Sequence, residues 1–119
     1  MNNYEMNEKI GKLLGYTVKQ IGGWYVLFNN GTTIINNKKL AMTCTIADIA
    51  EIFPNWSGDF NLCIRDLQIE GHNVQYYKSG YGSIVTYENE ITGGKTSFAA
   101  NMMIPALACK AFLSMNGIE

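Results

Sequence analysis

The sequence predicts an α+β protein, a three-layer α-β-α sandwich in which a mainly antiparallel sheet carries helices on both faces. Three observations predict it. Amphipathic or apolar helical segments open, divide and close the chain, in the order α, β, β, β, α, β, β, β, α. Strand candidates between them are joined by short glycine-bearing turns, the kind that connect antiparallel neighbours. The segment "WYVLF" has Trp24, Val26 and Phe28 on one face and Tyr25 and Leu27 on the other, so neither face suits water and both need a cover.

The opening helix follows from Met6, Ile10, Leu13 and Leu14 at helical spacing. The pairs Glu5–Lys9 and Glu8–Lys12 lie on its other side, and Gly15 is placed to end it. "YTVKQI", "WYVLF" and "TTII" then read as a three-stranded meander, turned at Gly22-Gly23 and Asn29-Asn30-Gly31. A second helix is expected from a Thr45 cap, with Ile46, Ile49 and Phe53 on one face and Phe53-Pro54 closing it. Alternation predicts a strand in "DFNLCIRDLQI", with Phe60, Leu62 and Ile64 opposite Asn61, Cys63 and Arg65, followed by strands in "NVQYYK" and "SIVTYE". The last helix runs through "MMIPALACKAFLSMNG", with Asn101 as its cap, Pro105 in the tolerated first turn and Asn116-Gly117 at its end.

These segments resemble a known family. "IPALACKAFL" resembles the C-terminal helix of the phage ABA-sandwich domain, where a proline opens a small-residue helix. "TIADIAEIF" resembles its middle helix, and "NEKIGKLLGYTV" its opening helix with the Leu-Gly-Tyr entry into the first strand. The three occur in the family's order, and the resemblance extends to the related NinX-like phage proteins, although Ile104 stands before Pro105 where those tend to have Asn. It implies helices on both faces of a sheet, residues 1–119 as one domain, and no settled enzymatic activity.

Composition excludes several function classes. A chain of 119 residues with 47% hydrophobic and 16% charged content is of single-domain size and globular in character. Its net charge is −1, with eight scattered lysines and one arginine, which argues against duplex nucleic acid as a partner. Cys44, Cys63 and Cys109 lack paired spacing and lie in apolar contexts, so they read as core thiols of a reducing cytoplasm. With His72 they make no metal-ligand pattern, and no metal or other cofactor is expected. No segment reads as a signal peptide or membrane span.

The stretch "EITGGKTSF" carries Gly93-Gly94-Lys95-Thr96 like the second half of a phosphate loop. A true loop needs a glycine four residues ahead of Gly94, and Asn89 is not one. A glycine turn between a strand and the last helix is one reading. The other is a turn whose free N–H groups, Lys95, and Thr96 or Ser97 hydroxyls bind one phosphate without hydrolysis. Arg65 reads either as an ion pair with Asp66 or as a clamp for phosphate or carboxylate. Tyr76, Tyr77, Tyr81 and Tyr87 are too many for one core, because alternation puts Tyr76 and Tyr77 on opposite faces. The surplus, like Trp56 in its loop, either packs at an edge or stacks a base or a partner protein. His72 is expected in a solvated turn.

With no complete catalytic motif, the expectation is a non-enzymatic binding protein. The candidate ligand-binding residues are Arg65, Lys95, Thr96, Tyr76, Tyr77 and Tyr81, and the ligand class is a small phosphorylated, nucleotide-like molecule. In a phage setting this becomes capture of a nucleotide-derived host immune signal. The alternative is an accessory module that docks on a host or phage enzyme. Self-association is also expected, from the apolar circumference of the last helix.

Overall fold

The computed structural model describes residues 1–40 and 51–118. The chain divides into two compact units, residues 1–55 and 56–119. Helices and antiparallel strands are mixed as the α+β class requires, and the strands form two three-stranded sheets.

The first unit begins with α1 (Asn3–Leu13). The Asn2 side chain accepts from Glu5 N at 2.8 Å and caps it. Met6 and Ile10 are buried, and Lys12 bridges Glu8 at 2.8 Å on the wet side, as the four-residue spacing predicts. Gly15, at φ 88°, turns the chain out of the helix. Strands β1 (Tyr16–Ile21), β2 (Trp24–Asn29) and β3 (Thr32–Leu40) form the meander in sequence order. Val26 and Leu27, which point to opposite faces, are both buried, so the centre of β2 is covered on both sides. Its start is not. Trp24 is 47% exposed and sits opposite Ile21, itself exposed, beside the Gly22-Gly23 turn. The expected burial of Trp24 is therefore corrected: the strand's end projects past whatever covers its middle. The helix expected over 45–53 lies outside the described residues up to position 50, as does Cys44. Ile52 and Phe53, which follow, are buried.

The second unit holds α2 (Phe60–Asp66), β4 (His72–Ser79), β5 (Gly82–Asn89), β6 (Lys95–Ala100) and α3 (Ile104–Met115). Here the strand expected at 60–66 is a helix. Asp59 accepts from Asn61 N at 2.9 Å and Leu62 N at 3.4 Å as its N-cap. Cys63 and Leu67, four apart, are fully buried. The apolar residues Phe60, Cys63, Ile64 and Leu67 fit a 3.6 period as well as Phe60, Leu62 and Ile64 fit a period of two, and the burial of Cys63 and Leu67 on one face selects the helix that Asp59 caps.

A strand that sequence reading missed, β6, follows the glycine turn and completes the sheet in the order β4-β5-β6. The turn thus joins two strands and does not lead directly into the last helix. His72 is likewise the first residue of β4, outside the turn expected to hold it. Helix α3 starts at Ile104 with Met103 as its N-cap, so Asn101 is not the cap. Pro105 lies in the first turn and Gly117, at φ 78°, ends the helix. The helix packs on all three strands of this sheet and on α2. Ala106, Leu107, Ala108, Cys109, Ala111, Phe112 and Leu113 are all buried within one chain, so the apolar circumference taken to demand self-association is already covered. No helix among the described residues is long and apolar enough to cross a membrane.

Candidate functional site

The turn at 89–95 is closed on itself. Asn89 Oδ1 accepts from Ile91 N at 2.9 Å and Thr92 N at 3.0 Å. Gly93 N reaches Asn89 O at 2.8 Å, and Gly94 N reaches Thr92 Oγ1 at 3.2 Å. Asn89 N in turn donates to Gly94 O at 2.8 Å, and Gly93 is at φ 71°. Two residues thus oppose one, a glycine bulge that sets the register of β5 and β6. Every N–H from 91 to 94 is occupied inside the turn, so none is left to cradle a phosphate. Asn89, whose presence rules out the complete phosphate loop, is also what organises this turn.

The other predicted site residues are dispersed. Residues opposite one another in a ladder share a face, so Val74–Tyr87–Thr96 and Tyr76–Val85–Phe98 lie on the side that meets α3. Asn73–Glu88–Lys95 and Tyr77–Ile84–Ala99 lie on the other. Lys95 and Thr96 therefore point to opposite faces, as do Tyr76 and Tyr77. Lys95 lies roughly 13 Å along the strands and about 10 Å across them from Tyr77.

Tyr77 is half-exposed and donates to Gln75 Oε1 at 2.6 Å. Tyr76 packs edge-on against Phe60, with ring centroids 5.0 Å apart. Burial, assisted by the neighbouring Cys63 and Cys109 thiols, pushes its hydroxyl up to about 12. Tyr87 is 1% exposed and raised in the same direction, chiefly by burial. Arg65 is spent on its neighbour: Nε and Nη2 reach the two Asp66 oxygens at 2.8 and 2.7 Å. The guanidinium holds the Asp66 carboxyl below its ordinary value, against the opposing effect of burial. The same carboxylate accepts from Trp56 Nε1 at 2.8 Å. Trp56 is 0% exposed, so it is a core anchor and does not offer a stacking surface.

What the second unit does present is a groove of about 600 Å³ that sequence reading did not assemble. Phe60 and Gly58 come from the start of α2, Lys78, Ser79, Gly80, Gly82 and Ser83 from the β4–β5 hairpin, and Met102 to Pro105 from the approach to α3. Three local features shape it. Gly82, at φ 146°, lies so close to β6 that a Cβ would fall 2.2 Å from Ala100 O, which lets the hairpin fold against residues 100–102. Ser83 Oγ donates to Met102 O at 2.8 Å and ties the two walls together. No side chain caps the start of α3, and Pro105 brings no N–H to that first turn. Tyr81, 93% exposed, stands between two lining glycines. Among the described residues Lys78 has no ion-pair partner.

None of the six residues predicted to bind ligand lines this groove: Tyr81 stands between two lining glycines and Tyr76 packs against the lining Phe60. Lys95 and Thr96 sit at the far end of the sheet, roughly 13–16 Å along β6 from Ala100. Among the described residues no group of three or more His, Cys, Asp or Glu is placed to hold a metal ion. Cys63 and Cys109 are fully buried in the core as expected. The Cys63 thiol donates to Trp56 O at 3.0 Å, and its contact with Cys109, together with burial, pushes the Cys109 thiol up. Neither is placed as a nucleophile. Comparison of the chain with family models, curated proteins and solved structures gave no match.

Proposed function

We propose that this chain is a non-enzymatic binding protein that holds a small phosphorylated, base-containing molecule in the groove between the β4–β5 hairpin and the start of α3. The observation that carries this reading is the size and chemistry of the groove. Small-molecule sites occupy about 300–1,000 Å³, mostly apolar with a few convergent polar groups. This one has about 600 Å³, an apolar wall of Phe60, Met102, Ile104 and Pro105, and one cation, Lys78, with no ion-pair partner among the described residues. A phosphate placed near Lys78 also meets the positive end of α3, and a flat base has Phe60 and the freely exposed Tyr81 to stack on.

The resemblance to phage ABA-sandwich domains turns this into a biological reading. The protein acts in the host cytoplasm and sequesters a nucleotide-derived immune signal without altering it. A second reading, a module that docks on a host or phage enzyme, is supported by the 93% exposure of Tyr81 and the 72% exposure of Met103 at the rim of the same groove.

Calorimetry against cyclic dinucleotides and ADP-ribose derivatives, with recovery of the ligand after heat denaturation, tests the proposal. Binding tighter than about 10 μM, weakened at least tenfold by Lys78→Glu and unchanged by Lys95→Ala, is the expected result. Equal loss in both variants moves the site back to the glycine turn. No binding across the panel transfers the weight to the docking module, and a cleaved product makes the protein an enzyme.

A further inference from the structure

Among the described residues strand β6 is the edge of its sheet, paired on one side only. The bond from Asn89 N to Gly94 O fixes the phase of the ladder. Thr96, Phe98 and Ala100 turn their backbone groups toward β5, while Lys95, Ser97 and Ala99 turn theirs outward. Among the described residues no backbone bond meets those outward groups. Lys95, Thr96, Ser97 and Ala99 are all exposed.

Edges like this are normally blunted by an inward charge, a proline, a distorting bulge along the strand or a covering element. "KTSFAA" has only Lys95, at its first position, and the glycine bulge lies before the strand begins. Beside the edge runs a second groove, of about 520 Å³, bounded on one side by Ser97 to Ala100 and on the other by Leu107, Lys110 and Ser114 of α3. The last three recur at i, i+3 and i+7, so they form one stripe along the helix.

An edge strand next to a helix-walled groove has the geometry of strand addition, in which main-chain bonds supply affinity and the groove takes alternate side chains. We propose that β6 and the Leu107–Lys110–Ser114 stripe of α3 bind an extended peptide segment carrying an acidic residue. The acidic character follows from charge. Lys95 and Lys110 flank the open edge, and among the described residues neither has an ion-pair partner. A carboxylate entering the groove gains a partner in Lys110. A second copy of this chain, paired edge to edge about a two-fold axis through Ser97, places Lys95 opposite the partner's Ala99. It also sets one Lys110 toward the other across the axis, and such like-charge juxtaposition is unfavourable. A peptide from another protein therefore fits the edge better than a second copy does.

The test is selection of a random octapeptide display library on the purified chain, followed by titration of the enriched peptides against variants. The expected result is a motif alternating apolar residues with at least one Asp or Glu. Binding should fall at least tenfold in Ser97→Pro, which removes an outward N–H and leaves the ladder to β5 intact. Lys110→Glu touches no backbone group and should lose the acidic peptides even if the proline variant folds poorly. An unenriched library, peptides that bind both variants as tightly as the parent, or a dimer abolished by Ser97→Pro overturns the proposal, the last in favour of a second copy.

Discussion

Gly11 and Phe53 are in direct contact: a Cβ built on the glycine falls 2.2 Å from Phe53 Cδ1 and 2.6 Å from Cε1. The ring is 5% exposed, so it is held by its surroundings and cannot swing away as a surface side chain would. Its contact explains why a glycine, a poor helix former, stands within α1.

Gly11→Ala therefore sets two effects against each other. Removing a helical glycine returns about 1 kcal/mol, while overpacking a filled core costs about 1–3 kcal/mol. With the added carbon deep inside the ring's van der Waals radius, overpacking prevails and the variant loses stability. Urea midpoints should show that loss, and should show it shrink when Phe53→Leu is added. Additive losses would mean that the two residues do not meet.

The two ends of β2 should respond differently to truncation. Leu27 is 0% exposed and Trp24 is 47% exposed. Leu27→Ala should cost about 2–5 kcal/mol, as buried leucines do, whereas Trp24→Ala should cost less than about 1 kcal/mol despite the larger side chain removed. A cost of 3 kcal/mol or so at Trp24 would restore the burial that alternation alone predicts for it.

The hydroxyls of Tyr76 and Tyr87 are buried without a hydrogen-bond partner among the described residues. Leaving such a group unpaired costs about 1–3 kcal/mol, so Tyr87→Phe should raise stability by about 1 kcal/mol. The same burial raises the Tyr76 hydroxyl from about 10 to about 12. Between those values the unfolded chain gives up a proton that the folded chain retains, so stability falls as pH climbs from about 10 to about 12. Denaturant midpoints at pH 9 and pH 11.5 should differ less in the Tyr76→Phe, Tyr87→Phe double variant than in the parent. An unchanged difference would show that these phenols do not carry the alkaline loss.

Local signals sufficed wherever neighbouring residues settle the conformation. The Glu8–Lys12 pair and Gly15 mark α1, Asn30-Gly31 specifies its hairpin, and Pro105 with Gly117 brackets α3, because caps, turns and i,i+4 pairs involve residues only a few positions apart. Tertiary structure decided the rest. The segment 60–66 satisfies both a period of two and one of 3.6, and the buried positions of Cys63 and Leu67 select the helix. "KTSFAA" is weakly apolar on its own and becomes a strand because the Asn89 turn delivers it to β5. Trp24 is apolar by composition and half-exposed by position, since the cover over β2 is complete at Val26 and Leu27 and thins toward the strand's start. The candidate groove was the least legible of all: its walls come from three separate segments, around Phe60, in the β4–β5 hairpin and over 101–105, and their meeting depends on long-range packing that no local spacing encodes.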